Sequence, residues 1–409
     1  MRVLLFTFLI ALQMACGDDL HTKATAQVEL MIDGKYDFTA IGEAVKNKQI
    51  VALGESSHGV GDFYTFKAEL VKYLHEHHGF EVLAFEAGLG DLNLAYSHLD
   101  SLSGDELLNQ TLFGNFRCEE VEPLFDYIKT THQSDRPLVY TGFDNQMSSS
   151  FFTELIEPIV SEYNLVLEED LEYALDGYRR WFRAGYYQDS LKYESEAIAF
   201  KTVVQNIQSI FKKNKAAIQE TYNLSNRDFD FIEQTCIGFK RTVDISYGER
   251  HRGSEHRDAI MFDNFQWLMN TIFPEKKVII WAHNGHIEQQ KMYEYSFKWM
   301  GHFLNDTYRE DYYALGLFAQ NGTAYQQWGD TVITLNNTDT TMIESIMMES
   351  GHRTSFLDVS SVDTANISYT WINQSISAFE NENGGVVSFV PKERFDGVVV
   401  IRNVKAPTY

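Results

Sequence analysis

The chain has 409 residues, of which 44% are hydrophobic and 14% aromatic, enough apolar material for one large domain or for two. Its formal net charge of -24 would repel the phosphates of nucleic acids and anionic lipid headgroups, because no cluster of Lys and Arg offsets it. This excludes nucleic-acid binding as a main function.

Residues 1–16 have the pattern of an export signal. Arg2 is followed by an apolar run over residues 3–12, which is too short to span a bilayer as a stable helix. Cys16 stands where a bacterial lipoprotein carries its lipidated cysteine. We therefore expect an exported protein attached to the bacterial cell envelope through a lipid on Cys16, with an ordinary cleaved signal as the alternative. Residues 17–30 are predicted to be a polar tether to the folded part.

The folded part, residues 31–409, begins with strand and helix in alternation. Residues 50–59, IVALGESSHG, are typical of a buried strand that ends at Gly54 in a polar loop. The apolar residues of 62–78 recur at helical spacing, and residues 80–85 are mostly apolar again. Such a strand–helix–strand unit makes its two strands parallel, with their carboxyl ends on the edge of the sheet where ligands bind.

Further strands are predicted on both sides of a helical middle. Residues 138–142 and 278–281 predict two more strands, and residues 312–318 and 398–401 are further candidates. Between them, residues 151–250 contain no strand-like run and show apolar residues at spacings of three and four. The predicted fold is therefore α/β, with a mainly parallel central sheet flanked by helices and an inserted helical subdomain that caps the carboxyl edge.

Two cysteines, Cys118 and Cys236, lie beyond the predicted signal and are far apart in sequence. In an exported protein they could form one disulfide, and buried free thiols are the alternative. Both alternatives stay open at this point.

Ionisable side chains follow four of the predicted strands. These are Glu55 with His58, Glu86, Asp144, and His283 with His286. The ends of neighbouring parallel strands lie about 5 Å apart, so these groups would converge in one pocket. Each of them alone could cap a helix or bond to a loop, but their recurrence at strand ends favours a functional site.

Lys67 provides a second, independent signal. It lies on the predicted helix over residues 62–78, among apolar residues at helical spacing, so it is predicted to point toward the sheet. A lysine that faces the core requires a nearby carboxylate, and Glu55 and Glu86 are the candidate partners. The alternative is a lysine whose ammonium group extends past the edge of the helix into water.

These motifs occur together, and in this order, in the erythromycin esterase family, which the chain resembles from residue 50 to residue 318. The motifs are GESSHG at 54–59, AFEAG at 84–88, GFDNQ at 142–146, RDAIMFDNFQWL from Arg257, and WAHNGHI at 281–287. The resemblance is weak over the helical middle, residues 151–250. Lys67 stands where the family commonly has arginine. The lysine keeps the positive charge but cannot form the bidentate contacts of a guanidinium group.

The resemblance implies hydrolysis of an ester or lactone by a water molecule, with a macrolide antibiotic as one candidate substrate. His58 matches the general base of the family, and Glu55 matches the acid beside it. Glu86, His283 and His286 match the remaining catalytic residues of the pocket. We identify the chain on this basis as an erythromycin esterase-like carboxylic ester hydrolase.

The residue types agree with this chemistry. Histidine has an ordinary pKa of about 6.5, so it can take a proton from water near neutral pH, and a neighbouring carboxylate orients its ring. Lys67, Asp144 and Arg257 are predicted to belong to the substrate or oxyanion pocket, where a cation could stabilise negative charge. This mechanism requires no cofactor and no covalent intermediate.

Two other functions stay open at this point. His58, His283, His286 and Glu86 are acceptable zinc ligands, so a metal-dependent hydrolase is one alternative, although the spacing is not that of H-E-x-x-H. A non-enzymatic exported protein that binds haem, a metal or another ligand is the second. A serine hydrolase is not favoured, because residues 54–58 are G-E-S-S-H and not G-x-S-x-G.

Overall fold

The computed structural model describes residues 27–163, 168–186, 190–244, 252–290, 298–326, 330–363, 367–380 and 385–409. The predicted signal, with Cys16, lies outside these ranges. The tether predicted over residues 17–30 is too long, because Gln27–Glu29 forms a strand, β1, that pairs antiparallel with Thr354–Asp358. Backbone hydrogen bonds to a strand more than 300 residues away give no signal in the local sequence.

Within the described residues, nine strands form one central sheet. They are β1, β4 (Ile50–Leu53), β5 (Phe80–Gly88), β6 (Val139–Asp144), β7 (Lys277–Trp281), β8 (Tyr312–Gln326), β9 (Thr331–Asn336), β10 (Thr354–Asp358) and β13 (Gly397–Val404). Two short antiparallel pairs stand apart from this sheet. These are β2 (Met31–Ile32) with β3 (Lys35–Tyr36), and β11 (Ile376–Phe379) with β12 (Val386–Phe389).

The spatial order of the strands is β1, β10, β13, β8, β4, β7, β5, β6, with β9 paired to β8. The six strands from β13 to β6 are parallel, while β1, β10 and β9 pair antiparallel with their neighbours. This confirms the predicted α/β fold with a mainly parallel sheet. Because β7 lies between β4 and β5, the four strands that precede the predicted site residues are direct neighbours.

Helices cover both faces of the sheet. In chain order they are α1 (Thr39–Val45), α2 (Gly61–His78), α3 (Leu89–Tyr96), α4 (Gly104–Thr111) and α5 (Glu122–His132), and, after the helical middle, α11 (Arg252–Trp267), α12 (Asn284–Ile287), α13 (Met300–Tyr308), α14 (Ile343–Met348) and α15 (Pro391–Arg394). Successive side chains of β4 belong to opposite cores: Val51 and Leu53 pack with Phe66 of α2, while Ile50 and Ala52 face the other side. Burial on both faces explains the continuous apolar runs.

The middle of the chain consists of helices α6 (Phe151–Glu162), α7 (Glu168–Tyr186), α8 (Glu194–Lys213), α9 (Lys215–Tyr222) and α10 (Asn226–Asp244). They contact the end of β6 through Asn145. The hydroxyl of Tyr178 donates a hydrogen bond to the Asn145 carbonyl oxygen at 2.9 Å, and the Asn145 side chain donates to the Thr242 hydroxyl at 2.5 Å. The helices thus lie at the β6 end of the carboxyl edge. Their treatment as a separate insertion stays a prediction.

The two cysteines beyond the predicted signal are buried and unbridged. The free-thiol alternative for Cys118 and Cys236 is therefore the correct one. Among the described helices, none combines the length and the apolar character that crossing a membrane requires.

The loop after β4 is closed by a glycine that touches another strand. The Gly59 carbonyl accepts a hydrogen bond from the Tyr325 backbone N–H at 2.7 Å, and a Cβ on Gly59 would lie 1.8 Å from the Tyr325 carbonyl oxygen. A side chain at this position must therefore displace the backbone of β8.

We expect Gly59→Ala to lower the free energy of unfolding by about 1–3 kcal/mol, the usual cost of overpacking. Urea denaturation of the variant and the wild type measures this loss. Gly114→Ala is the matched control, because a Cβ on Gly114 would meet no atom within 4 Å. Equal urea midpoints for the two variants would show that the loop after β4 accommodates the added methyl group with no loss in the free energy of unfolding.

Candidate active site

The loop after β4 brings a carboxylate and an imidazole into direct contact. Glu55 is fully buried, and its Oε1 lies 2.6 Å from Nδ1 of His58. The His58 side chain is 22% exposed. Because Nδ1 carries the proton of this hydrogen bond, Nε2 is the basic nitrogen of the neutral ring. The ring packs edge-on against Phe116, with the ring centroids 5.6 Å apart.

Lys67 of α2 anchors Glu55 from inside the protein. Its Nζ donates to Glu55 Oε2 at 2.6 Å and to the carbonyl oxygens of Leu53 and Ala282 at 3.3 and 3.4 Å, and it lies 4.4 Å from the centre of a Trp281 ring. Burial opposes ionisation of Glu55, but Lys67 and His58 outweigh it and lower the pKa of Glu55. Burial also lowers the pKa of Lys67, against the attraction of Glu55.

Lys67 does not lie where an oxyanion could reach it. The side chain is fully buried, and its three N–H donors point to three acceptors within the protein. The prediction that Lys67 belongs to the oxyanion pocket therefore does not fit the structure. The geometry gives it the task of keeping Glu55 ionised and in place.

Glu86, at the end of β5, is the central acceptor of the site. Its Oε2 accepts the backbone N–H of His283 at 2.9 Å, and its Oε1 lies 2.8 Å from Nη2 of Arg257 and 3.1 Å from Nε2 of His286. Burial alone would raise the pKa of Glu86, but His286 and Arg257 hold it well below its usual range. Glu86 is therefore ionised and unable to donate a proton.

Arg257 of α11 fills the space between the acids of β5 and β6. Its Nη2 lies 2.6 Å from Oδ2 of Asp144 and 2.8 Å from Glu86, and its Nη1 lies 3.1 Å from Nε2 of His286. The Asp144 side chain is fully buried and also accepts the Gln146 backbone N–H. The structure thus brings Asp144 and Arg257 together, with Asp144 placed behind the guanidinium group.

The guanidinium group of Arg257 already supplies a cation at the centre of these acids. No group of three or more His, Cys, Asp or Glu side chains within the described ranges is arranged to hold a metal ion. The contacts of His286 also differ from those of a metal ligand, because both of its ring nitrogens lie within 3.1 Å of carboxylate oxygens of Asp258 and Glu86. The arrangement is that of a hydrogen-bonded charge network.

His283 follows β7 and caps the N-terminus of the short helix α12. Its Nδ1 accepts the Gly285 backbone N–H at 3.1 Å, so in the neutral ring the proton lies on Nε2. The ring centroid lies 5.2 Å from that of His58 and 6.5 Å from that of His286. Burial and the charge that His58 can carry lower the pKa of His283 to about 4. At neutral pH this ring is therefore an uncharged N–H donor.

His286, one turn later, has the opposite protonation. Its Nδ1 lies 2.7 Å from Oδ1 of Asp258 and its Nε2 lies 3.1 Å from Oε1 of Glu86. Burial would lower the pKa of His286, but Asp258 and Glu86 outweigh it and raise the pKa to about 10. The ring is therefore an imidazolium at neutral pH. The Trp299 ring packs against it in a T-shaped arrangement, with the centroids 5.4 Å apart.

Asp258 and the aromatic walls formed by Phe116 and Trp299 are site residues that the sequence analysis missed. Asp258 carried a usable signal, because it falls on the buried stripe of α11 three and seven residues before Met261 and Phe265. A carboxylate on such a stripe needs a buried partner. Of the predicted site residues, Lys67 lies behind Glu55 and Asp144 lies behind Arg257, both with fully buried side chains, and the lipidation residue Cys16 lies outside the described ranges.

The sequence profile of the erythromycin esterase family matches residues 75–404. The chain belongs to the erythromycin esterase family. This match confirms the resemblance drawn from the motifs and makes the chain a member of an erythromycin esterase-like hydrolase family. The match begins after Glu55, His58 and Lys67, so the contact between His58 and Glu55 rests on the motif at 54–59 and on the geometry described above.

Two relatives align with most of the chain. The protein of Bacillus subtilis (strain 168) named "Putative hydrolase YbfO" is 28% identical over 320 alignment positions, and the match covers 70% of this chain and 68% of the relative. "Erythromycin esterase type II" of Escherichia coli is 21% identical over 312 alignment positions, and the match covers 71% of this chain and 73% of the relative.

Solved structures share the fold of this erythromycin esterase family member. A Bacillus cereus protein superposes with a TM-score of 0.70 at 20% identity, over 91% of this chain and 92% of that one. A succinoglycan biosynthesis protein superposes with a TM-score of 0.72 at 16% identity, over 95% of this chain and 97% of that one. A mutant of the erythromycin esterase EreC in its open conformation superposes with a TM-score of 0.55 at 16% identity, over 92% of this chain and 98% of that one. At these identities the similarity establishes the fold.

We expect Lys67→Met to lower the free energy of unfolding by about 3–5 kcal/mol at pH 7, because it leaves the Glu55 carboxylate buried without its partner. The wild type keeps this stabilisation down to about pH 4.3, the ordinary pKa of glutamate, and loses it as the pH falls further through the lowered pKa of Glu55. In the variant, burial without the Lys67 cation raises the pKa of Glu55, so the carboxyl takes up a proton and loses its buried charge as the pH falls. The difference in the free energy of unfolding between variant and wild type should therefore narrow as the pH falls from 7 to 4.

Urea denaturation at both pH values measures this gap. Lys46→Met is the matched control, because the Lys46 ammonium pairs with Glu43 at 2.7 Å in an exposed position. The control should change stability by less than about 0.5 kcal/mol. A gap of the same size at pH 7 and pH 4 would show that Glu55 does not depend on Lys67 for its charge.

Proposed function

We propose that the protein hydrolyses an ester or lactone bond with a water molecule that His58 activates. The observation that supports this best is the 2.6 Å contact between Glu55 Oε1 and Nδ1 of a partly exposed His58. An ionised carboxylate on Nδ1 makes Nε2 the proton acceptor and stabilises the ring once it is protonated. These are the properties of a general base near neutral pH.

The proposed reaction has two proton transfers. As the water oxygen bonds to the carbonyl carbon of the substrate, one water proton passes to Nε2 of His58, and the carbonyl oxygen becomes an oxyanion. When this tetrahedral intermediate collapses, the bond between carbon and the alcohol oxygen breaks, and His58 returns its proton to the leaving oxygen. The products are a carboxylic acid and an alcohol, which stay joined when the substrate is a lactone. No bond forms between protein and substrate.

We assign stabilisation of the oxyanion to His283 and Arg257. The neutral His283 ring carries its proton on Nε2. The centroids of the His283 and His58 rings are 5.2 Å apart, so a substrate carbonyl group next to His283 would lie close to a water next to His58. A neutral imidazole donates to a developing oxyanion without adding a fixed charge to the free site. Arg257 contributes positive charge at the opposite side of Glu86.

A small ester or lactone is the proposed substrate, and a macrolide is one candidate because a relative from Escherichia coli carries the name Erythromycin esterase type II. If the substrate is a macrolide, the reaction would inactivate an antibiotic. We also propose that the protein is exported and held at the cell envelope through Cys16. The sequence pattern of residues 1–16 supports this location.

We expect His58→Ala to lower kcat on a reactive aryl ester by about 100-fold or more, since general base catalysis contributes about 10²–10⁴. The measurement is steady-state hydrolysis across a panel of aryl esters, lactones and macrolides, with circular dichroism to check the fold. His77→Ala is the control, because the His77 side chain is 58% exposed and lies on the outer part of α2. Unchanged turnover in His58→Ala would remove His58 as the base.

We expect the purified enzyme to keep its full rate after treatment with a chelator and dialysis, because Arg257 supplies the cation in the acid cluster. The rate is measured before and after treatment, and metal content is followed by elemental analysis. A loss of activity that Zn²⁺ restores would favour the metal-dependent hydrolase instead. If neither preparation hydrolyses any substrate of the panel, the binding-protein alternative gains.

A further inference from the structure

Asp258 is a fully buried carboxylate that takes no part in the reaction proposed above, yet it contacts two walls of the site. Its Oδ1 lies 2.7 Å from Nδ1 of His286 and accepts the backbone N–H of Met300 at 2.8 Å. Met300 is the first residue of α13 and follows Trp299, whose ring packs against His286. One oxygen atom therefore joins α11, α12 and the start of α13.

A line of polar contacts continues from Asp258 into the pocket. Nε2 of His286 lies 3.1 Å from Oε1 of Glu86, and Oε2 of Glu86 accepts the backbone N–H of His283 at 2.9 Å. We propose that Asp258 is a positioning residue that holds the His286 ring between two carboxylates and so fixes Glu86 and His283 at the reacting carbonyl group. This inference deepens the proposed function and rests on it for the role of His283.

The charges around His286 explain why a carboxylate is needed at position 258. Asp258 and Arg257 face the ring from α11, Glu86 faces it from β5, and His283 faces it from the same turn. Nη1 of Arg257 lies only 3.1 Å from Nε2 of His286, so a protonated ring meets a like charge at close range. Two carboxylates outweigh one guanidinium group, which agrees with a pKa for His286 of about 10.

The second oxygen of Asp258 makes a clean substitution possible. Oδ2 is buried and has no hydrogen-bond partner among the residues that the structure describes. In Asp258→Asn, the amide oxygen can keep both contacts of Oδ1, while the amide nitrogen takes the place of Oδ2. The variant therefore removes the negative charge and leaves the hydrogen-bonding geometry in place. A purely structural role for Asp258 would tolerate this change.

The test is a titration of the His286 ring by ¹⁵N NMR in the full-length protein, with the signals assigned by their loss in His286→Gln. In the wild type we expect the ring to stay protonated up to about pH 10. In Asp258→Asn the midpoint should fall by about 1–3 pH units, the usual effect of losing an adjacent opposite charge. The rate of ester hydrolysis should fall about 10–100-fold, the loss seen when a carboxylate that orients a metal-bound histidine is removed.

Asp263→Asn is the matched control on the same helix, because the Asp263 carboxylate is 42% exposed and pairs with Arg241 at the surface. It should leave both the titration and the rate unchanged. A His286 midpoint that is the same in wild type and Asp258→Asn would overturn the proposal. So would a wild-type midpoint near the ordinary value of about 6.5, which tests the proposal even if the variant does not fold.

The two proposals fail in different ways. If the wild type hydrolyses nothing in the ester and lactone panel, the proposed function is wrong, while the NMR titration still decides whether Asp258 controls His286. If hydrolysis is found and Asp258→Asn keeps the full rate, the positioning role is wrong and the His58 mechanism is unaffected.

Discussion

The buried ion pair between Lys67 and Glu55 is the contact on which the site depends. Two unit charges removed from water must satisfy each other, and here the ammonium and carboxylate groups lie 2.6 Å apart with no exposed surface. The same ammonium bonds to carbonyl oxygens of Leu53 and Ala282, at the ends of β4 and β7. Glu55 is thus held by two strands and one helix, and His58 takes its orientation from Glu55.

The second constraint is the order of the strands. The chain places β7 between β4 and β5, so the loops after β4, β7, β5 and β6 follow one another along a single edge. Each loop contributes ionisable groups, and Arg257 arrives from α11 to neutralise the acids of β5 and β6. Without that guanidinium group, Glu86 and Asp144 would be two buried carboxylates with only His286 to balance them. The order of the strands and the need to balance the buried charges therefore both place the site at the carboxyl edge of β4, β7, β5 and β6.

Much of this could be predicted from the sequence, because the informative signals are local. A buried strand that ends in Glu, Asp or His is visible as an apolar run followed by a polar residue, and Lys67 is visible as a cation on an apolar helix stripe. Contacts between distant segments gave no such signal. The pairing of β1 and the position of Lys67 away from the pocket depend on residues far away in sequence. Asp258 lies on the apolar stripe of α11, but its partner His286 lies on another helix.

The two histidines of one helical turn show how strongly the surroundings set the chemistry. His283 receives a backbone N–H on Nδ1 and faces His58, so its charged form is disfavoured and its pKa is about 4. His286 lies between Asp258 and Glu86, so its charged form is favoured and its pKa is about 10. Between these values the site holds one neutral donor and one fixed cation. A change of rate with pH inside this window must then come from a group other than these two histidines.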